Sequence, residues 1–480
     1  MRATPHLRGA DRPNDPVREG LAAGAPAFTL PGMTLAPSLP SIIAPGHPSY
    51  DEARTAWNLA ADQRPAAVVV ARSAGDVLDA VRYAGEHGLR IVPQGTGHLA
   101  SAVPDMADAV LIRTAIGGVT VDPIARRARV GAGAIWQDVV DAVTPLGLAA
   151  LSGSSFDVGV MGYTLGGGSS WLARAKGLSC NNVHAIELVT VDGRLVRATA
   201  DEHPDLFWAL RGGGGNFGVV TAIEINLFAI TEVFGGMTVW PVSDAREVLT
   251  AWAAWAPTAP DAVTTSFRVL RLPPLPEIPE PLRDTPVVVI DGAVLADAPE
   301  AEALLHAFRG VGTPIVDTWA TMSPAGLLEI HMDPPAPVPA SGDTALLDTL
   351  DAAAIDAFLE VVEVDEVAPL LFAELRQLGG ALGRVAPGAG ARARFDGDFI
   401  LFGVGVPEGP EHAARLDAKL TRLLDAMAPW SNGSRYINFA ERGGDASDGY
   451  GEGVYERLQA VRRTWDPEER LVASHRIATS

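Results

Sequence analysis

The chain has 480 residues and a formal net charge of −21, and 48% of its residues are hydrophobic. This length and composition predict a globular protein with one or two substantial cores, most simply arranged as two domains. The negative charge argues against nucleic acid or an anionic membrane as a partner, because both require a basic surface. Cys180 is the only cysteine, so no intramolecular disulfide can form, and we expect a cytoplasmic location.

The N-terminal segment, residues 1–45, is predicted to be a loosely ordered arm of unknown function. Its first forty residues are rich in proline, glycine and arginine and contain no continuous apolar stretch. We therefore expect neither a secretory signal nor a membrane span in this segment.

A β-α-β unit is predicted next along the chain. Residues 66–70 and 89–92 have the apolar, β-branched character of buried strands, and Gly88 ends the helix between them. That helix is indicated by small apolar residues at helical spacing, namely Val77, Ala80, Val81 and Ala84.

A glycine loop, residues 93–98, ends the second strand of this unit and closes on His98. Glycine lets the backbone approach a ligand and point its N–H groups at an anion such as a pyrophosphate. The imidazole is placed as a nucleophile. The loop therefore predicts an anion cradle with a covalently held cofactor.

Four further glycine-rich loops lie at residues 153–159, 162–168, 177–183 and 211–220. Their concentration in one third of the chain requires a common cause. Around them, the pattern predicts strands at 109–112 and 128–130, a helix at 135–144 and a hairpin with an Asp-Gly turn at 189–196.

One alternative for the last of these loops is a nicotinamide dinucleotide site, because Gly213, Gly215 and Gly218 have the Gly-x-Gly-x-x-Gly spacing. Such a fingerprint follows a strand and opens a helix. Here a helical stretch, residues 204–210, precedes the glycines, and a strand, residues 219–225, follows them. This reversed order argues against the alternative.

The order of the loops, together with Tyr436-Ile437-Asn438 near the end of the chain, resembles the FAD-linked oxidases of the berberine bridge enzyme-like group, within the vanillyl-alcohol oxidase superfamily. The resemblance covers roughly residues 50–230 and 430–477. It implies an α+β protein with a two-domain PCMH-type FAD-binding fold and a separate antiparallel-sheet substrate domain covered by helices. FAD is therefore the expected cofactor.

The domain boundaries are predicted from the place where the glycine loops stop. We expect an FAD-binding domain at 46–230, a substrate-binding domain at 231–430 and a C-terminal return to the FAD-binding domain at 431–480. Proline punctuation, as at residues 272–279, begins in the middle domain. There the pattern predicts helices at 299–308 and 412–428 and strands at 286–290, 370–375 and 398–406.

The resemblance implies a covalent bond between His98 and FAD, since the flavin 8α-methyl can become an electrophile that a neutral imidazole attacks. Many relatives have a second tether from a cysteine, at the position that Ser155 occupies here. Cys180 lies in a different motif, so we predict a single covalent bond. The His98 loop also departs from the family, because Pro93-Gln94 replaces the commoner Arg-Gly. The expected cofactor contacts are Gln94, Gly95, Thr96, Gly97, His98, Leu99, Ser101, Gly153, Ser154, Ser155, Val158, Gly159, Gly162, Tyr163, Gly167, Gly168, Asn182, Val183, Gly218, Val220, Tyr436 and Asn438.

Val158 matches the position that controls access of O2 to the flavin in the resembled group, where a small valine goes with oxidases. We therefore expect O2 as the electron acceptor and hydrogen peroxide as a product. A base should take the substrate proton while hydride passes to flavin N5. The first candidate for this base is Tyr436, and Tyr163 is also expected at the cofactor.

The middle domain supplies three weaker candidates for the catalytic side of the site. Glu374 and Arg376 alternate on a predicted strand and are candidates to face the flavin, as is His331. The carboxylate base of some alkaloid-oxidising relatives has no match, because residues 399–402 read Phe-Ile-Leu-Phe. The substrate is left open among small alcohols, hemiacetals, amines and polyketide-like compounds.

Two other functions also remain open. One is a flavin dehydrogenase of the same fold that passes electrons to another acceptor, and peroxide formation under air would separate it from an oxidase. The other is a non-catalytic flavin or ligand carrier, for which no donor would bleach the flavin. The sequence does not indicate the oligomeric state.

Overall fold

The computed structural model describes residues 41–479, apart from 274–275, 277, 279, 284, 364–368 and 444–445. Most of the predicted N-terminal arm, residues 1–40, therefore lies outside the described residues. Within the described ranges, no helix has the length and apolar character needed to cross a lipid bilayer.

The first layer is a three-stranded parallel sheet with one crossing helix. Its elements are α1 (Tyr50–Arg54), β1 (Ala67–Ala71), α2 (Ala74–Glu86), β2 (Arg90–Gln94) and β3 (Ala109–Thr114). The strand order is β1-β3-β2, so β3 lies between the two strands that α2 connects. A capping box between Ser73 and Asp76 starts α2, and Gly88 takes a φ of 65° just after the helix. The helix buries the four residues whose spacing predicted it.

A five-stranded antiparallel sheet forms the second layer. It contains β4 (Val119–Asp122), β5 (Arg127–Gly131), β6 (Val183–Val189), β7 (Leu195–Ala198) and β8 (Val219–Asn226), in the order β4-β5-β8-β6-β7. Its helices are α3 (Trp136–Val143), α4 (Val160–Leu165), α5 (Ala173–Lys176) and α6 (Pro204–Leu210). The predicted hairpin is present as β6 and β7. Trp136 is fully buried in the core between this sheet and its helices.

The third layer is an eight-stranded antiparallel sheet. Its strands are β9 (Val233–Pro241), β10 (Val263–Leu270), β11 (Val287–Val294), β12 (Val316–Asp317), β13 (Ala320–Met322), β14 (Ser341–Leu347), β15 (Phe372–Gln377) and β16 (Phe399–Gly405). The order is β12-β9-β11-β10-β15-β16-β14, and β13 also pairs with β9. Four helices belong to it: α7 (Ala245–Trp255), α8 (Ala298–Arg309), α9 (Ala352–Glu363) and α10 (Pro410–Met427).

The two faces of this sheet have different partners. Along β10, Phe267 joins the apolar core beneath the helices, whereas the next residue, Arg268, bonds to polar groups on the other face. Along β15, Leu375 faces the helices, and its neighbours Glu374 and Arg376 line a cavity. Successive side chains of a strand point to opposite faces, so one face of the sheet builds a core and the other builds one wall of a site.

The chain then returns to the first two layers. Helix α11 (Val454–Trp465) buries Leu458 and Val461 in the core of the five-stranded sheet, and Leu471 pairs with Ile91 of β2. The α+β fold class that the resemblance implied is confirmed. These contacts bring the Tyr436-Ile437-Asn438 segment back to the glycine loops.

Candidate active site

A cavity of about 380 Å³ lies between the glycine loops and the free face of the eight-stranded sheet. The loops contribute its first wall, which includes Gly95, Gly153 and Gly162. The sheet contributes Phe372 and Phe402 to the opposite wall. Residues of all three sheets and of the C-terminal segment therefore line this one cavity.

His98 is held at the cavity by three neighbours, Trp57, Thr96 and Asp157. The Trp57 ring stacks on the imidazole, with ring centroids 4.0 Å apart. Thr96 Oγ1 lies 2.8 Å from His98 Nδ1, and Asp157 Oδ1 lies 3.5 Å from His98 Nε2. The Asp157 carboxylate in turn accepts hydrogen bonds from Trp57 Nε1 at 2.5 Å and from Ser155 Oγ at 2.9 Å. Burial acts to raise the pKa of Asp157, but the adjacent His98 imidazole, together with the hydrogen bonds from Ser155 and Trp57, holds it below its usual value.

The loop that carries His98 requires its glycine. Gly97 has a φ of 87°, and a Cβ atom there would lie 2.8 Å from the Cβ of Ala56. Both the conformation and the close approach exclude a larger residue without rearrangement. Trp57 N and Asn58 N donate to the carbonyl oxygens of Thr96 and Gly97, which ties the loop to the segment before β1.

Tyr436 and Asn438 meet the glycine loops at the middle of the cavity. The Tyr436 hydroxyl oxygen accepts hydrogen bonds from Gly168 N and Ser169 N, each at 3.1 Å, and from Asn438 Nδ2 at 2.9 Å. Asn438 Nδ2 also donates to the Tyr163 carbonyl oxygen at 2.9 Å. Burial raises the pKa of Tyr436 to about 12, so the phenol is protonated at neutral pH.

A buried charged cluster, which we define as Arg268, Asp291, His331, Glu374 and Arg376, forms part of the sheet-side wall of the cavity: His331, Glu374 and Arg376 line it, and Arg268 and Asp291 lie behind them. Arg268 Nη2 donates to Asp291 Oδ2 at 2.5 Å, and His331 Nδ1 lies 2.8 Å from the same oxygen. Arg268 Nη1 also donates to the carbonyl oxygen of His331 at 2.9 Å. His331 Nε2 is 3.9 Å from Glu374 Oε1, which is paired with Arg376 Nη2 at 2.9 Å.

Asp291 remains ionised inside this cluster. Burial opposes ionisation, but Arg268 and His331 hold the pKa of Asp291 well below its usual range. An ionised carboxylate can only accept hydrogen bonds, so His331 Nδ1 carries the shared hydrogen. In the neutral ring, Nε2 is then left with its lone pair.

Most of the residues predicted from the sequence line this one cavity. They are Gln94, Gly95, Thr96, Gly97, His98, Leu99, Gly153, Ser154, Ser155, Val158, Gly159, Gly162, Tyr163, Gly218, Val220, Tyr436 and Asn438, and the three weaker candidates Glu374, Arg376 and His331 also line it.

The remaining predicted contacts lie outside the cavity lining. Gly167 and Gly168 are behind Tyr436, and Ser101 Oγ accepts a hydrogen bond from Asn58. The Asn182 side chain caps the carbonyl oxygens of residues 176 and 178, and Val183 is buried in the core of the five-stranded sheet. The side chains of Ser101, Asn182 and Val183 are thus each occupied by a structural contact.

Cys180 also lies away from the cavity lining, in an apolar core. Its Sγ atom is 3.6 Å from the carbonyl oxygen of Arg392. Burial raises the pKa of the Cys180 thiol to about 12, so no thiolate is present at neutral pH to form a tether.

Sequence reasoning missed four side chains that shape the site: Trp57, Asp157, Arg268 and Asp291. Asp157 lies within a predicted loop, so its sequence position gave a signal. Arg268 and Asp291 are buried charged residues in strands that carry no other charge, and this was the available clue. Nothing near Trp57 in the sequence indicated that its ring would stack on His98.

The lining fits FAD by its own chemistry. The Nε2 atoms of Gln94 and His98 are buried without a hydrogen-bond partner in the part of the chain that the structure describes, although both residues line the cavity. A Cβ at Gly166, which lines the cavity, would overlap the Asn438 side chain, so the wall approaches closely there. Orphaned polar atoms and glycine-lined walls are the features of a site built for a large polar ligand.

Comparison with known proteins agrees with this fit. Residues 65–199 match a family model described as an FAD binding domain. The chain is 35% identical over 214 residues to (R)-6-hydroxynicotine oxidase of Paenarthrobacter nicotinovorans, which covers 44% of this chain and 47% of the relative. It is 39% identical over 183 residues to an FAD-dependent monooxygenase of Fusarium proliferatum, covering 37% of this chain and 35% of the relative. The matched part spans less than half the length of these curated relatives.

Solved structures are similar over nearly the whole chain. A crystal structure of 6-hydroxy-D-nicotine oxidase from Arthrobacter nicotinovorans superposes with a TM-score of 0.77 at 27% identity, covering 92% of this chain and 97% of that one. A berberine bridge enzyme-like protein of Physcomitrella patens superposes with a TM-score of 0.79 at 21% identity and the same coverage, which is a likeness of fold.

Fold and site together define a PCMH-type FAD-binding protein. More particularly, residues 65–199 form an FAD binding domain, and the chain is similar to PCMH-type FAD-linked oxidases, as the resemblance indicated.

Proposed function

We propose that this protein is an FAD-dependent oxidoreductase that oxidises a small organic molecule and uses O2 as its electron acceptor. The observation that carries the proposal is the cavity, which combines a glycine loop ending in His98 with a buried acid–base pair on the opposite wall. The family match and the names of the relatives support FAD as the cofactor.

The cofactor is covalently attached to His98 in this proposal. The imidazole lines the cavity and its Nε2 atom has no hydrogen-bond partner among the described groups. A serine, Ser155, stands at the second tether position, and Cys180 is buried elsewhere, so a single bond is proposed. Such a bond prevents loss of the cofactor and tends to raise its reduction potential.

FAD supplies hydride acceptance when it is bound, and the protein supplies binding, orientation and proton transfer. Three N–H groups point at the Tyr436 hydroxyl oxygen and use its lone pairs. The hydroxyl hydrogen is then the group that Tyr436 can offer to a ligand. This geometry favours a hydrogen-bond donor, whereas the sequence suggested Tyr436 as the proton acceptor.

His331 is the better placed proton acceptor in our proposal. Its Nδ1–H is held by the ionised Asp291, so its Nε2 lone pair is available on a side chain that lines the cavity. An imidazole oriented by a carboxylate is an efficient general base because the carboxylate stabilises the imidazolium that forms. Tyr436 and His331 therefore have distinct roles, which substitutions separate.

The substrate is a small organic molecule with an oxidisable carbon, drawn from alcohols, hemiacetals, amines or polyketide-like compounds. The sheet-side wall combines the aromatic rings of Phe372, Phe402 and Phe439 with the charged pair Glu374 and Arg376. The relatives named for 6-hydroxynicotine, chitooligosaccharide and glucose act on amine or sugar donors, and these set the first compounds to test.

Val158 supports O2 as the acceptor, since a small side chain at this cavity position leaves room for it. The test is anaerobic mixing of the purified protein with 6-hydroxynicotine, chitooligosaccharide and glucose, followed by readmission of air. We expect one donor to bleach the flavin absorbance and air to restore it with formation of hydrogen peroxide. Recovery with an artificial dye but not with air would favour the dehydrogenase, and the absence of flavin from the folded protein would contradict the proposal.

A further inference from the structure

Asp157 occupies an unusual position beside the residue proposed to carry the cofactor. Its Oδ1 atom is 3.5 Å from His98 Nε2, and its side chain is 15% exposed. The residue lies in a glycine-rich loop whose backbone is held by other groups. Phe156 and Val158 provide these, because their carbonyl oxygens accept the backbone N–H groups of Gln137 and Trp136.

Two donors fix the direction of the carboxylate. Trp57 Nε1 donates to Oδ2 at 2.5 Å and Ser155 Oγ donates to Oδ1 at 2.9 Å. The same Trp57 ring stacks on His98 with an interplanar angle of 15°, so one side chain positions both partners. The carboxylate is thereby held beside the edge of the imidazole, where its negative charge can stabilise a positive charge on the ring.

A neutral imidazole that forms a bond to carbon becomes positively charged until it loses its remaining N–H proton. A carboxylate 3.5 Å away stabilises this charge in a site that is partly shielded from water. We propose that Asp157 promotes the covalent attachment of FAD to His98 by stabilising the imidazolium that forms with the bond. This inference rests on the proposed function.

The attachment balances as follows. A carbon–nitrogen bond forms between the flavin 8α carbon and the His98 ring, while one C–H bond of the methyl group and the imidazole N–H bond break. The two electrons pass to the flavin and from it to O2, which takes up the two released protons as hydrogen peroxide. Asp157 ends the sequence ionised, as it began.

Ser155 takes a different role here from the cysteine found at its position in the resembled group. Its hydroxyl donates to Asp157 Oδ1, so it orients the carboxylate. The position that holds a tethering cysteine in many relatives thus holds a serine here, and this serine supports the His98 tether by orienting Asp157. Ser155→Ala is expected to weaken attachment less than removal of the Asp157 charge, because the bond from Trp57 remains.

The test compares Asp157→Asn, which keeps size and removes charge, with Asp157→Glu and with Asp141→Asn, an exposed control on the neighbouring helix α3. Total flavin is measured by absorbance of the folded protein, and covalent flavin by intact mass after denaturation. We expect Asp157→Asn to bind FAD at the parent level but to show a covalent fraction lower by about tenfold or more. Asp157→Glu should regain part of it, and Asp141→Asn should match the parent.

Equal covalent fractions in the parent and Asp157→Asn would overturn the role of Asp157 while leaving the tether intact. Failure of both Asp157 variants to bind any flavin would also overturn it, because the residue would then be needed for binding. If the parent itself releases all its flavin on denaturation, the tether to His98 is wrong and this inference falls with it. The parent therefore separates failure of the proposed function from failure of this step.

Discussion

At the scale of single residues, the buried charged cluster determines what the cavity can do. Two arginines and two carboxylates are removed from water there, and each charge has a partner at hydrogen-bond distance. Such pairs are costly to assemble and costly to break, because removal of one partner leaves an uncompensated buried charge. Retaining them in the wall of a cavity is consistent with use in proton transfer.

His331→Gln tests the proposed base. Glutamine is polar and of similar size, but it cannot accept a proton, so we expect flavin reduction by a donor to slow by about 100-fold. Flavin content should equal that of the parent, since His331 lies on the sheet-side wall. Stopped-flow absorbance under anaerobic conditions measures the rate, and His306→Gln, on the exposed face of α8, is the control. An unchanged reduction rate would contradict the assignment.

Tyr436→Phe tests the hydrogen bonds at the middle of the cavity. Loss of the hydroxyl leaves Gly168 N and Ser169 N buried without their acceptor, and each unsatisfied group costs about 1–3 kcal/mol. We expect the thermal midpoint of the purified protein to fall by several degrees. Tyr83→Phe, a half-buried tyrosine on α2, serves as the matched control. Equal midpoints for the two variants would show that these hydrogen bonds do not hold the loop.

At the scale of elements, the eight-stranded sheet explains both the strength and the limit of the sequence analysis. The hydrophobic pattern predicted strands near β11, β15 and β16 and helices near α8 and α10, because the sheet and its helices share a large apolar core. The pattern could not predict which strands are neighbours. Arg268 and Asp291 pair only because β10 and β11 are adjacent, and this adjacency is a property of the folded sheet.

The junction between β14 and the C-terminal segment predicts a pH effect. Burial and the nearby Asp343 raise the pKa of Glu441 to about 7, although the Gly342 N–H opposes the shift. The folded protein therefore holds a proton that the unfolded chain releases near its ordinary pKa of 4.5. Stability from this group is fully present below that value and is lost as the pH rises through about 7.

Glu441→Gln removes this dependence. The stability that the variant gains over the parent should be larger at about pH 8 than at about pH 5, because the neutral amide avoids the charge that Glu441 carries in its buried position at the higher pH. Thermal midpoints at the two pH values measure the difference. Glu468→Gln, at an exposed position, should show the same pH dependence as the parent. If Glu441→Gln does so too, Glu441 does not titrate as described.

At the scale of the whole molecule, the glycine loops predicted an FAD site, and the structure brings residues of four of these loops to one cavity. Their order along the chain indicated a family even before their contacts were known. The stack of Trp57 on His98 and the bond from Trp57 to Asp157 join residues that are 41 and 100 positions apart. Contacts of this range depend on the assembled fold, so no local pattern could reveal them.

His98 has a central position in the molecule. The three sheets and the C-terminal segment converge on one cavity, and His98 stands where the first sheet meets it. If FAD is covalently attached there, the cavity must be the FAD site, and a substrate must bind between the flavin and the sheet-side wall.

The most direct measurement is the intact mass of the denatured protein, taken beside that of His98→Ala. We predict that the parent keeps a mass increment of one FAD after unfolding and that His98→Ala does not. Release of the flavin from the denatured parent, or an FAD increment retained by His98→Ala, would contradict the account.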